Sequence, residues 1–171
     1  MSRQRILKKQ ASRSRRQAEV AHRGAAILNS DIFKKTMEQK HHHISSVGVH
    51  SLAVALAALA LADCLEKTGI RSDRDALVRG SLCHDLGMLD RESRYPSSFR
   101  CCFRHPGNSL EAFEKNFRPA SKRERDCILH HMWPVTPAPP RTREGYIVGL
   151  ADKVCSVQDV TRRVKSAVRH V

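Results

Sequence analysis

Histidine and aspartate are the residues of this chain whose types and spacing could do chemistry. The chain has 10 histidines in 171 residues, and one of them forms the adjacent pair His84-Asp85, at the end of an apolar stretch just before Gly87. An aspartate beside a histidine among buried neighbours is costly unless something binds both side chains. The pair alone is a weak signal, because a structural role or chance would explain it as often as a functional role.

Four further residues of the same two types strengthen the hypothesis of a metal site. Each lies in a predicted helix or at a helix end: His50, His105, His131 and Asp152. A helical bundle projects such side chains from facing helices into one core site. Neutral imidazoles and carboxylates without sulfur suit Fe, Mn, Co, Ni or Zn better than they suit a thiolate zinc site.

Asp85 is the predicted bridge between two ions, because a carboxylate has two oxygens whereas a neutral imidazole offers one lone pair. The first ion would take His50, His84 and Asp152. The second ion would take His105 and His131. His130, adjacent to His131, is a further candidate metal ligand, although the sequence favours His131.

Helices are the elements that must position these residues. An Ala/Leu-rich helix is predicted from about residue 46 to 67, and a second from about 73 to 85, with Ser72 and Asp75 spaced like a capping box. Residues 88–104 are predicted to be a loop, and Pro106 to occupy the first position of the next helix. Ser121 and Glu124 form another capping-box pattern, opening a helix that ends near residue 132.

The last helix is predicted to begin near Thr142, after a proline-rich connector at residues 134–140. No segment shows sustained alternation of apolar and polar residues, which strands would require. The sequence therefore predicts an all-α fold, a compact bundle of about five to seven helices.

Charge and composition limit the classes of function. Lys and Arg total 31 against 17 Asp and Glu, a net charge of +14, which predicts attraction to phosphates, nucleic acid or an acidic membrane face. Aromatic residues are only 5%, which argues against a single-strand binder built on stacking. Six cysteines without a CxxC pair and the lack of a secretory signal indicate a reduced, cytoplasmic protein. The longest apolar run, residues 52–62, is too short to span a bilayer.

The first 27 residues are strongly basic. Residues 1–24 carry eight Lys and Arg residues against one acid, Glu19. We expect residues 1–27 to be a solvated tail or a loosely held helix outside a domain of residues 28–171. The alternative is an electrostatic arm in which residues 1–24 contact nucleic acid or anionic lipid.

The ordered set of candidate ligands resembles the HD-domain superfamily of metal-dependent phosphohydrolases, in particular its small single-domain bacterial members. The resemblance lies in five strings: HSLAVA from His50, GSLCHD from Gly80, FRHPG from Phe103, HMWP from His131 and DKVC from Asp152. It covers roughly residues 36–158 and leaves the basic segment outside.

The resemblance implies an all-helical fold, a centre of one or two divalent metal ions, and hydrolysis of a phosphate ester or anhydride of a nucleotide or related phosphometabolite. Fe or Mn is favoured, with Co, Ni, Zn or Mg as alternatives. The one-metal core would be His50, His84, Asp85 and Asp152. His105 and His131 would add a second ion, as in the HD-GYP branch, but no Gly-Tyr-Pro string is present and Met88 replaces a lysine that often follows the HD pair there. Cyclic di-GMP is therefore a poor expectation for the substrate.

The remaining expectations concern roles and rival functions. Asp85 or a nearby acid would take a proton from the attacking water, and the candidate cations for the substrate phosphate are Lys153, Arg79, Arg141 and Arg143. The same ligand set also resembles the mixed-valent di-iron oxygenases of the superfamily. A third hypothesis is a basic nucleic-acid- or phosphate-binding module whose metal is structural.

Overall fold

Helices make up almost all of the computed structural model, which describes residues 3–41 and 45–168. The α-helices in these residues are α1 Arg3–Arg23, α2 Ala25–Leu28, α3 Asp31–Glu38, α4 Val47–Glu66, α5 Arg74–Cys83, α6 Arg91–Arg94, α7 Ser98–Asn116, α8 Lys122–Leu129 and α9 Arg143–Val168. A 3₁₀ turn, Leu86–Met88, follows α5, and strand β1 Lys40–His41 pairs antiparallel with β2 Ser45–Ser46. Since α2 and α6 are single turns, seven longer helices remain and the predicted all-α bundle is confirmed.

Helix α4 is the central element of the bundle. The Ser46 hydroxyl accepts a hydrogen bond from Val49 N and so caps its first turn. The helix packs against α1, α3, α5 and α9. By length and hydropathy alone α4 is apolar enough to cross a membrane, but half of that stretch is buried inside the protein. Its apolar composition is therefore explained by core packing.

Two hydrophobic clusters lie on either side of α4 and α5. The first joins α4 and α5 to α7 and α8, with Phe113, Leu82 and Ile128 almost fully buried. The second joins them to α8 and α9 through residues such as Val148 and Cys127. These clusters fix α4, α5, α7, α8 and α9, which carry most of the predicted ligands.

Several helix ends agree with the sequence pattern and others differ. The capping box of Ser121 and Glu124 is formed at the start of α8, and Thr142 Oγ1 accepts from Gly145 N at the start of α9. Helix α5 is capped by Asp73, not by Ser72, because the Asp73 carboxylate accepts from Ala76 N. Helix α8 ends at Leu129, three residues earlier than predicted.

The prediction of a loop over residues 88–104 was wrong, because the single-turn helix α6 and the start of the long helix α7 both lie there. Ser97 caps α7 by accepting from Arg100 N, so the helix begins at Ser98 and Pro106 lies inside it. The first turns of α7 are held by Cys101, which is buried in a small cluster with Val47, Met88 and Tyr95. Tertiary packing therefore overrides the helix-start signal that Pro106 gave.

The basic N-terminal segment forms helix α1, and it is bound to the bundle rather than being a solvated tail. Arg15 and Arg16 pair with Asp63 on α4, at 2.8 and 2.9 Å. Glu19 accepts two hydrogen bonds from Arg74, which hold the pKa of Glu19 below its ordinary value. Val20 is part of the main core. A domain boundary at residue 27 stays a prediction.

Candidate metal centre

The His84-Asp85 pair lies where α5 ends and the chain turns. His84 is the last residue with helical backbone angles, and Asp85 leads into the 3₁₀ turn. His84 is fully buried and Asp85 almost so. This helix end directs two adjacent polar side chains into the interior of the bundle, where the sequence predicted them.

Gly87 allows the turn after Asp85 to lie directly against α7. A Cβ at this position would overlap the carbonyl oxygen of His105, so any side chain would push the turn and the helix apart. Gly87 N donates to Ser109 Oγ, and Tyr95 Oη donates to Gly87 O, both at 2.8 Å. This close approach brings His105 to within 3.3 Å of Asp85.

His131 and Asp152 approach the centre from the other side. His131 lies in the turn that follows α8, and Asp152 lies on α9. Lys153 Nζ donates to His131 O at 2.8 Å and to Gly149 O at 3.2 Å, which ties the turn to α9. The structure therefore brings all six predicted ligands into one buried cluster.

Three of the four imidazoles are oriented in the same way. The Nδ1 atoms of His84, His105 and His131 lie 2.7, 2.8 and 2.8 Å from backbone carbonyl oxygens three or four residues earlier. A carbonyl only accepts, so each Nδ1 carries the proton and donates it. Each Nε2 is therefore left as the atom that faces the centre, which is the arrangement of a metal-binding histidine.

His50 is oriented differently, by a carboxylate that the sequence analysis missed. Its Nε2 lies 2.9 Å from Asp152 Oδ1, and its Nδ1 lies 3.5 Å from Asp159 Oδ2. Asp159 is seven residues after Asp152, two turns along α9, and so lies on the same face of that helix. That spacing is the signal that could have identified it.

The two oxygens of Asp85 face different imidazoles. Oδ2 lies 3.3 Å from His84 Nε2, whereas Oδ1 lies 3.3 Å from His105 Nε2 and 3.7 Å from His131 Nε2. The candidate ligand atoms form three groups, in each of which the atoms lie within 4.8 Å of one another. These groups are His50–His84–Asp85, His84–His131–Asp152 and Asp85–His105–His131.

Burial and mutual attraction set the charges of the carboxylates and of two imidazoles. Burial raises the pKa of Asp85, but His84 and His105 outweigh it and hold that pKa well below its ordinary value. The pKa of Asp152 is likewise lowered, since contacts with His50 and His84 outweigh its burial. Burial lowers the pKa of His84, but Asp85 and Asp152 outweigh it and raise that pKa well above the ordinary value.

His105 and His131 share one proton. Burial lowers the pKa of His105, but its contacts with Asp85 and Cys101 raise it to about 9. Burial lowers the pKa of His131 to about 3, and repulsion from His84 and His105 adds to this. Their Nε2 atoms lie 2.9 Å apart, so His105 donates and His131 accepts.

The donor set fits a divalent transition metal. Buried His84 Nε2 has no hydrogen-bond partner among the described residues. The Nε2 atoms of His105 and His131 face each other, and without the shared proton between them two lone pairs would be opposed. Imidazole nitrogens and carboxylate oxygens at these spacings are ligands for Zn, Mn, Fe, Co or Ni. A metal cation would take the place of the shared proton without a rearrangement of these side chains.

A cavity of about 300 Å³ opens onto this cluster. Asp85, His105, His131 and Asp152 form part of its wall, together with Met88, Ser98, Cys101, Cys102, Met132, Val135 and Ser156. Two cations line the cavity, Lys153 and Arg91. Lys153 was predicted, whereas Arg91 was missed because residues 88–104 were assigned to a loop in which no site residue was identified. Arg91 is held by a hydrogen bond to Ser98 Oγ at 3.0 Å.

Three predicted phosphate-binding arginines do not line this cavity. Arg79 lies near Glu124 and Asp75, at 3.8 and 4.0 Å, and its Nε donates to Arg23 O. Arg143 donates to Arg71 O, at the start of α9. Arg141 is exposed, and its backbone N donates to the Asp126 carboxylate. The structure therefore places these three arginines outside the cavity, and a role for them at the substrate phosphate stays a prediction.

His130 is not in any of the three candidate ligand groups. Its Nδ1 lies 2.7 Å from Asp126 Oδ1, and the Asp126 carboxylate also accepts from Arg141 N and from Thr142 N and Oγ1. These contacts lower the pKa of Asp126 although its burial raises it. His130 therefore belongs to a polar network that joins the end of α8 to the start of α9.

The comparisons with known proteins agree with this site. The HD domain family matches residues 47–156, which is more than half of the chain, and the chain therefore belongs to that family of metal-dependent hydrolases. No curated protein and no solved structure matches the chain. All six predicted ligands lie within the matched segment.

Proposed function

We propose that the protein is a cytoplasmic metal-dependent phosphohydrolase that cleaves a phosphate ester or anhydride of a nucleotide or related phosphometabolite. The observation that carries this proposal is the convergence of three carbonyl-oriented imidazoles and two ionised carboxylates in one buried cluster. His105, His131 and both carboxylates of that cluster line an open cavity that also has two cations in its wall. We propose two ions, Fe or Mn, with Asp85 between them.

The residues present would hold the metal in two groups. His50, His84 and Asp152 supply one, His105 and His131 the other, and the separate directions of the two Asp85 oxygens support a bridging role. When bound, the metal would supply an acidified water and polarise the phosphoryl oxygens.

The chain's own residues account for the rest of the chemistry. Asp85 remains ionised because His84 and His105 outweigh its burial and lower its pKa, which keeps both of its oxygens available as metal ligands. Asp85 or a nearby acid would take the proton from the attacking water. Lys153 and Arg91 lie at the same cavity and offset the negative charge that the phosphate brings. Met88, Val135 and Met132 exclude water from part of the wall.

The first experiment combines elemental analysis with a hydrolysis assay on protein purified without chelator, affinity tag or air. Asp85→Ala should abolish both metal binding and turnover of 4-nitrophenyl phosphate or of a panel of nucleotides, because both groups of ligands lose a shared carboxylate. Oxygen uptake is measured in parallel to test the oxygenase alternative. Full turnover by the Asp85→Ala variant would show that the proposed site is wrong.

The adjacent histidines provide a matched pair of variants. His131→Gln removes a proposed ligand, whereas His130→Gln removes a ring that binds Asp126 instead. We expect His131→Gln to lower metal content and turnover together, and His130→Gln to retain the metal. Equal metal loss in both variants would contradict the assignment of His131.

We also propose that α1 contacts nucleic acid, since it carries five exposed cations that have no acid within 4 Å among the described residues. These are Arg3, Arg5, Lys8, Lys9 and Arg13.

Deleting the segment would also remove Arg16, Glu19 and Val20, which hold α1 to the bundle, so replacing the five cations by Gln is the cleaner test. With a fluorescent single-stranded RNA, the slope of log affinity against log salt should fall by up to ~3.5, at ~0.7 per lost phosphate contact. An unchanged slope would contradict the proposal.

A further inference from the structure

A second cavity of about 270 Å³ lies beside the metal-site cavity. Its apolar wall consists of Trp133, Pro134, Pro140, Tyr146 and Leu150. The rings of Trp133 and Tyr146 meet edge to face, with centroids 6.0 Å apart and planes at 81°. A flat ring that stacks on one of them is perpendicular to the other and can present its own edge to that ring's face. Both arrangements are favourable for aromatic groups.

The polar end of this cavity is cationic. Lys153 also lines it, and among the described residues Lys153 alone lines both cavities. Two of its three N–H groups are bound to His131 O and Gly149 O, and no described carboxylate lies within 4 Å of Nζ. One N–H and a positive charge that no described carboxylate contacts directly therefore remain for a ligand.

His130 is the second polar group at the same cavity. The Asp126 carboxylate accepts three other hydrogen bonds, so His130 Nδ1 must be the donor in their contact. Nε2 is then the ring nitrogen that is left for a ligand.

We propose that this second cavity binds a small aromatic anion, with the ring against Trp133 and Tyr146 and the anionic group at Lys153. A cavity of about 150 Å³ is enough to hold benzene, so the volume here accommodates a two-ring body. A neutral apolar ligand would leave the half-buried ammonium without a counter-charge. The assignment depends on this cavity alone and does not rest on the proposed hydrolysis.

The test uses 2-naphthoate and its neutral analogue 2-naphthylmethanol as probes. Trp133 is the only tryptophan in the chain, so the indole N–H resonance of ¹⁵N-labelled, Zn²⁺-supplemented full-length protein reports on this cavity directly. We expect both probes to shift that resonance, and naphthoate to bind about tenfold more tightly or better, as a charge-assisted contact predicts. No shift with millimolar naphthoate, or equal affinities for the two probes, would overturn the proposal.

Two variants separate the charge from the apolar wall. Lys153→Met should weaken naphthoate binding about tenfold and leave naphthylmethanol unchanged, so the neutral probe checks that the cavity is intact. Leu150→Glu should weaken naphthoate binding strongly, whereas Val157→Glu, at a somewhat more exposed site on the same helix outside the cavity, should not. Loss of naphthoate binding in Val157→Glu, or its retention in Leu150→Glu, would show that the anion binds elsewhere.

Discussion

Metal binding should release protons from the buried histidines, and the number can be worked out from the structure. In the metal-free protein at pH 7, His84 is protonated because Asp85 and Asp152 raise its pKa, His105 is protonated because Asp85 and Cys101 raise its pKa, and His131 is neutral. A metal ligand must be an unprotonated imidazole, so the ion has to displace these protons. The first ion, held by His50, His84 and Asp152, should therefore release about one proton at pH 7, and a second ion at His105 and His131 should release about one more.

The magnitude for His105 follows from its pKa of about 9. At pH 7 this group lies about two pH units below its pKa, and each unit is worth about 1.36 kcal/mol of competition between the proton and the metal. Since the group is already half unprotonated at pH 9, His105 alone should make binding of the ion that it holds about 50-fold weaker at pH 7 than at pH 9. Because the pKa of His105 is raised, the affinity for the metal falls as the pH falls.

Calorimetric titration of metal-free protein with Mn²⁺ in buffers of different ionisation enthalpy counts the released protons. His105→Gln should release about one proton fewer than the unaltered protein, while His130→Gln should release the same number. An affinity that stays flat between pH 7 and 9, or a proton count that His105→Gln does not change, would refute the assignment of charges.

Three further predictions concern the frame of the site. Gly87→Ala should separate the turn from α7 at His105 and lower both stability and metal affinity; Gly107→Ala, where a Cβ would meet nothing within 4 Å, should do neither, as thermal unfolding and metal titration would show. Asp159→Asn should weaken metal binding about 10- to 100-fold by freeing the His50 ring, with little change in unfolding temperature. The pKa of His105 is raised from 6.5 to about 9, so its contribution to the free energy of unfolding of the metal-free protein should be complete below pH 6.5 and be lost as the pH rises to 9. Unfolding curves of metal-free and metal-loaded samples across this pH range test this.

The six ligands could be predicted from the sequence because their residue types are costly in a core without a partner. His50, His84 and Asp152 lie in long apolar helices, where a polar side chain needs an explanation. The bundle could be predicted for a related reason, since Ala/Leu-rich segments and the Ser121 cap are local signals. These features do not depend on which helices finally pack together.

The cations could not be assigned in the same way, because an arginine reaches far and its partners are distant in sequence. Arg79 precedes His84 by five residues, which on a helix places it about 140° around the axis from His84. That angle alone argues against a shared site, and in the structure Arg79 lies near Glu124 and Asp75 instead. Arg91 reaches the cavity only because α7 begins at Ser98, which depends on tertiary packing around Cys101.

The charge balance of the buried centre also predicts how a second ion should behave. In the metal-free state two carboxylates face two protonated imidazoles, and an ion held by His50, His84 and Asp152 displaces only the His84 proton, which adds about one positive charge. A second ion, at His105 and His131 on the cavity wall beside Lys153 and Arg91, displaces the His105 proton and brings the added charge to about two. Such a charge is costly in a buried site unless an anion enters with it.

Inorganic phosphate should therefore tighten binding of the second equivalent of Mn²⁺ by about tenfold or more and binding of the first by less than about twofold. By reciprocity, Mn²⁺ should tighten the binding of phosphate equally. Titrations with and without phosphate measure both effects, and equal tightening of the two equivalents would contradict the charge assignment that links the metals to the phosphate.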